Sequence, residues 1–233
     1  MLALTIGDAE PSIRRLFMRI PLTPHGTREL LLFGVPPLLI APWLATQVHW
    51  AASLPLVAIG VFVFSFFRDP DRAVPQGAGE MASPADGKVV MILERDEPSY
   101  VKEKSLCVGI FLSVFNVHVN RAPESGTVEF VKYTPGKFLD ARDPRCAAEN
   151  ESNAIGIKTD DGRRILVRQV SGLIARRIIC TVKEGDHVAR GQRIGMIKFG
   201  SYTELWVAAS AGYQPAVKLE QSVRGAADVV VRR

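Results

Sequence analysis

Two patterns of apolar residues divide this chain. From Leu30 to Phe67 runs a 38-residue stretch without Asp, Glu, Lys or Arg, bounded by Glu29 and Arg68. "LLLFGVPPLLIAPWLA" and "AASLPLVAIGVFVFSFF" fill it, joined around "TQVHW". Neither run shows the polar face of a helix packed between a soluble core and water. A helix that crosses hydrocarbon takes about 20 apolar residues, so the stretch predicts a hydrophobic helical hairpin over about 30–67 that enters a membrane. Pro36, Pro37 and Pro42 make the first arm irregular, which leaves a full crossing and a re-entrant hairpin both open.

Past Arg72 the period changes. "GKVVMIL", "LCVGIFLSVFNVHV", "GTVEFVKY", "AIGIKT", "RRILVRQV", "RRIICTV", "QRIGMIKF" and "TELWVAA" are rich in β-branched and aromatic residues and mostly bounded by Gly, Pro, Asp or Asn. "IKTDDGRRILV" reads as a hairpin with a primed turn at Asp161-Gly162. "VKEGDHVARGQRIGMI" carries two glycine turns, and "DVVVRR" forms a last strand. The chain thus divides into a membrane-associating region, 1–72, and a mainly β domain, 73–233, compact, antiparallel and barrel-sandwich-like.

"KFGSYTEL" disturbs this pattern, because Gly200-Ser201 stands inside a strand-like region. Glycine weakens a strand and marks a bulge or a close approach of backbone. Turn or bulge geometry is one reading. The other is chemical: attack by the Ser201 hydroxyl on the preceding carbonyl converts an amide to an ester, and elimination then turns the serine into a ketone-bearing cap.

Charge sharpens the membrane reading. The chain has 233 residues, 47% of them hydrophobic, and a net charge of +5. Arg14, Arg15, Arg19 and Arg28 precede the uncharged stretch, Arg68 and Arg72 follow it, and its connecting loop has no Lys or Arg. The positive-inside rule then puts both ends on the cytoplasmic face of the cell membrane. Trp43 and Trp50 flank the loop as interfacial aromatics do, and "PSIRRLFMRIPL" suits an anionic lipid surface. The apolar region begins too late for a signal peptide. No aromatic-basic stacking pattern or helix-turn-helix points to nucleic acid.

Cys107, Cys146 and Cys180 have no C-x-x-C spacing and read as reduced thiols. The four histidines are dispersed, so no metal site is expected. His187 falls in a turn and is expected to face solvent. Asp86 precedes Gly87 in "SPADGKVV", where turn chemistry is one reading. His118 ends a long apolar run beside Asn116, Asn120 and Arg121. It suits either a buried structural role or proton transfer near neutrality.

Taken together, "FFRDPDR", "SPADGKVV", "FLSVFNVHVNRAPESG", "ENESNAIGI" and "IKFGSYTEL" resemble, in order and spacing, the short bacterial and archaeal form of the phosphatidylserine decarboxylase family, over roughly residues 20–233. The resemblance implies a proenzyme that cuts itself between Gly200 and Ser201 into a β chain, 1–200, and an α chain, 201–233, which stay together as a heterodimer. Ser201 becomes a pyruvoyl group, the cofactor, with no metal. Phosphatidylserine would lose CO2 through a Schiff base to give phosphatidylethanolamine. Asp86 matches a motif aspartate implicated in self-cleavage, and His118 a motif histidine implicated in proton transfer.

Arg121 stands where long-form relatives carry a second histidine, and it is the residue expected to meet the anionic headgroup. Tyr202 stands where arginine is more usual. The alternatives are a decarboxylase of another serine-headed lipid and a membrane-anchored lipoyl-like or adaptor-like binding module. The module would need an exposed lysine in a Met-Lys-Met setting or coiled-coil heptads, and neither is present. A zinc peptidase fails on ligand spacing.

Overall fold

The computed structural model describes residues 21–140, 145–173, 177–198 and 201–233. Gly200 and the arginines at 14, 15 and 19 lie outside them.

The uncharged stretch folds as a helical hairpin of α1 (Pro24–Gln47) and α2 (Trp50–Phe66). Proline at 36 and 37 removes two backbone donors, and the turn before them widens, with the Val35 N–H reaching back to Leu30 O. The two arms touch where side chains are smallest. A Cβ on Gly60 would lie 2.5 Å from Leu38 and 3.2 Å from the Gly34 carbonyl oxygen, so only glycine permits this approach. The outer faces are apolar and uncovered: Leu31, Phe33, Leu39, Trp43, Trp50 and Val61 are each more than half exposed.

The remainder is mainly β. In chain order the described residues form β1 (Glu80–Ala82), β2 (Gly87–Glu97), β3 (Glu103–Leu112), β4 (Val119–Arg121), β5 (Gly126–Thr134), a short α3 (Cys146–Glu149), β6 (Ser152–Thr159), β7 (Arg164–Ser171), β8 (Arg177–Cys180), β9 (His187–Val188), β10 (Arg193–Lys198), β11 (Ser201–Ala208), β12 (Gln214–Pro215), β13 (Ser222–Val223) and β14 (Val229–Arg232). Eight of them make one antiparallel sheet in the order β13-β2-β3-β11-β7-β6-β5-β9, which curls into a half-barrel. Two smaller sheets, β4-β10-β8 and β1-β14-β12, complete the domain. Val108, Ile110, Ile155, Val167, Ile194, Leu205 and Val230 share one buried apolar cluster.

Three local features differ from the sequence expectation. The run "LCVGIFLSVFNVHV" is not one strand, because Asn116 Oδ1 accepts from both the N–H and the hydroxyl of Ser113 and pins a turn between β3 and β4. The β6–β7 turn is not of the primed kind. Only Gly162 has positive φ, +87°, and its N–H bonds to Thr159 O, so an ordinary turn closes on a left-handed glycine. The strand-like region around Ser201 is not one strand: β10 ends at Lys198 in one sheet, and β11 begins at Ser201 in the centre of another.

The hairpin is seated on the β domain. Leu30, Phe66 and Phe67 share an apolar cluster with Met196 of β10. Glu29, at the edge of the uncharged stretch, is ion-paired with Lys198 at 2.6 Å. One hairpin end is thereby fixed three residues from Ser201.

Candidate active site

β11 lies between β3 and β7, with Ser201 opposite Leu112 on one side and Ser171 on the other. Alternation turns Ser201, Thr203, Leu205 and Val207 to one face, and Tyr202, Glu204 and Trp206 to the other. Ser201 is fully buried, and its Oγ has no hydrogen-bond partner among the described residues. The Ser171 hydroxyl opposite it is likewise unpartnered. An unsatisfied buried hydroxyl costs about 1–3 kcal/mol, and native proteins keep few of them outside functional sites.

His118 is also fully buried. Its Nδ1 lies 3.0 Å from the Asn116 carbonyl oxygen, which can only accept, so Nδ1 carries the proton and Nε2 is the free base. Nε2 is buried without a hydrogen-bond partner among the described residues. The Phe66 ring covers the imidazole, with centroids 4.2 Å apart and planes inclined by 31°. Burial pushes the His118 pKa down to about 4, with the Arg68 guanidinium adding to the effect against the Asn116 hydrogen bond.

A chain of buried amides holds the surroundings still. Asn153 donates to Gln169 Oε1 at 3.0 Å, Gln169 donates to Asn120 Oδ1 at 2.9 Å, and Asn120 donates to the Thr203 hydroxyl at 3.1 Å. Asn120 is two residues beyond His118, and Thr203 two beyond Ser201. The Ile197 N–H bonds to the His118 carbonyl at 3.2 Å. β11, which Ser201 heads, and β4, which follows His118, are therefore cross-linked two residues beyond each.

Asp86 has other partners. Its carboxylate accepts from Arg72 at 2.9 Å and from the Gly225 N–H at 2.7 Å, and no hydrogen bond joins it to His118 or Ser201. Asp86 ties the segment after the hairpin to the C-terminal part of the chain. Arg121, expected to meet a headgroup, is turned inward: it bonds to Asp69 at 2.7 Å, Pro70 O at 2.9 Å and Gly191 O at 3.2 Å. Asp69 has a fully buried side chain and needs this partner, together with Arg193 at 2.5 Å. Tyr202 packs on the other face of β11, above Gly109, where a Cβ would collide with its hydroxyl. Among the described residues no group of three or more His, Cys, Asp or Glu side chains could hold a metal ion.

The sequence alone assigns no role to Phe66, Lys198 or Glu204, and to Arg68 only that of a flanking charge. Arg68 follows the hairpin, donates to the carbonyl and hydroxyl of Ser65, and reaches the Phe115 carbonyl at 2.6 Å. Glu204 is fully buried beside Trp206, whose indole donates to it at 2.8 Å. A glutamate inside "TELWVAA" was the available signal.

Ser201, which heads a central strand, and His118, which lies under Phe66 of the hairpin, are thus both buried in the β domain. Residues 59–231 match the phosphatidylserine decarboxylase family. A phosphatidylserine decarboxylase proenzyme from Symbiobacterium thermophilum is 48% identical over 168 residues, covering 72% of this chain and 78% of that protein. The proteins of the same name from Syntrophus aciditrophicus and Nitrosomonas europaea are 46% and 42% identical, and cover 78% and 82% of this chain, with 84% and 88% of their own lengths matched. The chain belongs to the phosphatidylserine decarboxylase family, whose members are carboxy-lyases.

Proposed function

We propose that this chain is a proenzyme that cuts itself at Gly200-Ser201 and then decarboxylates phosphatidylserine to phosphatidylethanolamine at the cytoplasmic face of a membrane. The observation that carries the reading is that Ser201 Oγ and His118 Nε2 are both buried and, among the described residues, have no hydrogen-bond partner, so each is free to meet the other when the reaction begins. One has a proton to give and the other a lone pair to receive it.

In maturation His118 Nε2 takes the hydroxyl proton as Oγ attacks the Gly200 carbonyl carbon. The C–N bond breaks and an ester to Oγ forms. Loss of the Ser201 α-proton expels the Gly200 carboxylate and leaves dehydroalanine, which water hydrolyses to ammonia and a pyruvoyl cap. Asp86 ties Arg72 to Gly225, and Lys198, two residues before the cut, is ion-paired with Glu29 of the hairpin. After cutting, β11 remains hydrogen-bonded between β3 and β7, so the α and β chains stay one heterodimer.

The pyruvoyl group supplies an electron sink for the carbanion left when CO2 departs. The chain's residues do the rest. Phe66 keeps water from the reacting carboxylate, which favours loss of charge as CO2 forms. His118 Nε2, a free base, takes a proton from the substrate's ammonium group and returns it to the carbon that loses the carboxyl group.

Membrane placement rests on the hairpin. At about 1.5 Å per residue the 24 residues of α1 span roughly 36 Å and the 17 of α2 roughly 26 Å. Arg28 and Arg68 stand at the open end, the side that the positive-inside rule places in the cytoplasm. Vesicles of phosphatidylserine test the activity: the mature protein releases CO2 and forms phosphatidylethanolamine, and Ser201→Ala does neither. Decarboxylation by Ser201→Ala would overturn the reading.

A further inference from the structure

We propose that Arg68 is the receptor for the phosphate of the lipid headgroup. The inference rests on the decarboxylation of phosphatidylserine at Ser201 and adds the group that recognises its substrate.

The neighbouring cations are committed. Arg72 is paired with Asp86, Arg121 with Asp69, Arg193 with Asp69 and Asp71, and Lys198 with Glu29. Arg68 bonds only to neutral oxygens: Nη1 to the carbonyl and hydroxyl of Ser65, Nη2 to the Phe115 carbonyl. Those three contacts leave two of the five N–H groups of a guanidinium without an acceptor among the described residues. The contacts also fix the plane of the group. A planar fork held in place, charged and only partly buried is the donor arrangement that suits a phosphate.

Its height is the second argument. Arg68 lies two residues past the end of α2 and is the first charge after 38 uncharged residues. If the hairpin occupies hydrocarbon, this guanidinium stands at the level of lipid phosphates. Its immediate neighbours lead to the reacting centre: Phe66 covers His118, and the Phe115 carbonyl that Arg68 holds is next to the Asn116 carbonyl that holds His118.

The third argument separates phosphate from carboxylate. A carboxylate paired with arginine is stabilised in the ground state, and this pairing is lost as CO2 forms, so it would slow the reaction. The phosphate keeps its charge throughout. An arginine on the phosphate and an aromatic wall on the carboxylate divide the two anions of the substrate in the productive way.

The test uses mature full-length enzyme and soluble short-chain lipids. Short-chain phosphatidic acid, which has the phosphate but neither amine nor carboxylate, is the probe. It is expected to inhibit the wild type competitively, and Arg68→Gln should weaken that inhibition roughly tenfold to a hundredfold and raise the KM for phosphatidylserine in parallel, with kcat changed far less. Arg68→Lys should fall between the two, and it carries the test if Arg68→Gln is not cut. An unchanged inhibition constant in these variants overturns the assignment, whether or not KM moves, because a rise in KM alone would mean contact with the carboxylate. A wild-type protein that is cut but inert toward phosphatidylserine would instead remove the proposed function on which the inference rests.

Discussion

The Phe66 ring lies over the His118 imidazole, 4.2 Å between centroids, so the last turn of the hairpin covers the only histidine of the buried site. This contact makes the neutrality of His118 depend on the hairpin. Phe66→Ala should admit water and return the His118 pKa from about 4 toward its ordinary 6.5. The acid limb of the rate profile should move upward by one unit or more. A profile that keeps its acid limb in the variant would show that Phe66 does not set the protonation of this base.

The same burial has a thermodynamic consequence. Between pH 6.5 and about 4 the unfolded chain binds a proton at residue 118 that the folded chain refuses. The contribution of this group to stability is therefore fully present above pH 6.5 and is lost as pH falls toward 4, by about 3 kcal/mol in all. His118→Gln should unfold with a shallower pH dependence across that window. Equal slopes in urea titrations of the two proteins would contradict it.

Ser201→Ala should remain one chain and should also be more stable than the uncut wild type, by about 1 kcal/mol, because it removes a buried hydroxyl with no partner among the described residues. Comparison with freshly made, still uncut wild-type protein checks this. A destabilised variant would mean that the hydroxyl is hydrogen-bonded before cutting.

Glu204 offers a test away from the chemistry. Burial raises its pKa, against the pull of Arg168, the Trp206 indole and Arg95. As pH rises past the ordinary 4.5 the unfolded chain releases its proton first, so folding loses stability until the folded carboxyl ionises. Glu204→Gln keeps an acceptor for Trp206 and removes this loss. It should be more stable than the parent near neutral pH, with the gain shrinking below pH 4.5, and a variant less stable at neutral pH would show that the ionised carboxylate is stabilising.

What the sequence reveals and what it conceals follow from range. The hairpin is legible because 38 residues without charge leave few alternatives, and the strands because β-branched runs alternate with turn residues. Ser201, His118 and Asp86 stand out as polar residues in distinctive local settings. Their partners do not, since Asp86 meets Gly225 at a separation of 139 residues, Arg121 meets Asp69 at 52, and Phe66 reaches His118 across the join of hairpin and domain. Arg121 looked available because the buried Asp69 that consumes it lies in another motif. The region around Ser201 looked like one strand because sequence alternation continues through it, while β10 and β11 belong to different sheets.

The central claim is that this chain makes its own carbonyl at residue 201. Intact-mass measurement of the purified protein tests it most directly. The account predicts two chains, 1–200 and 201–233, the smaller lighter by one ammonia than the same peptide with a free serine amine and reactive toward carbonyl reagents. A folded protein that stays a single chain of 233 residues, or a fragment that begins with an unmodified serine, would contradict it.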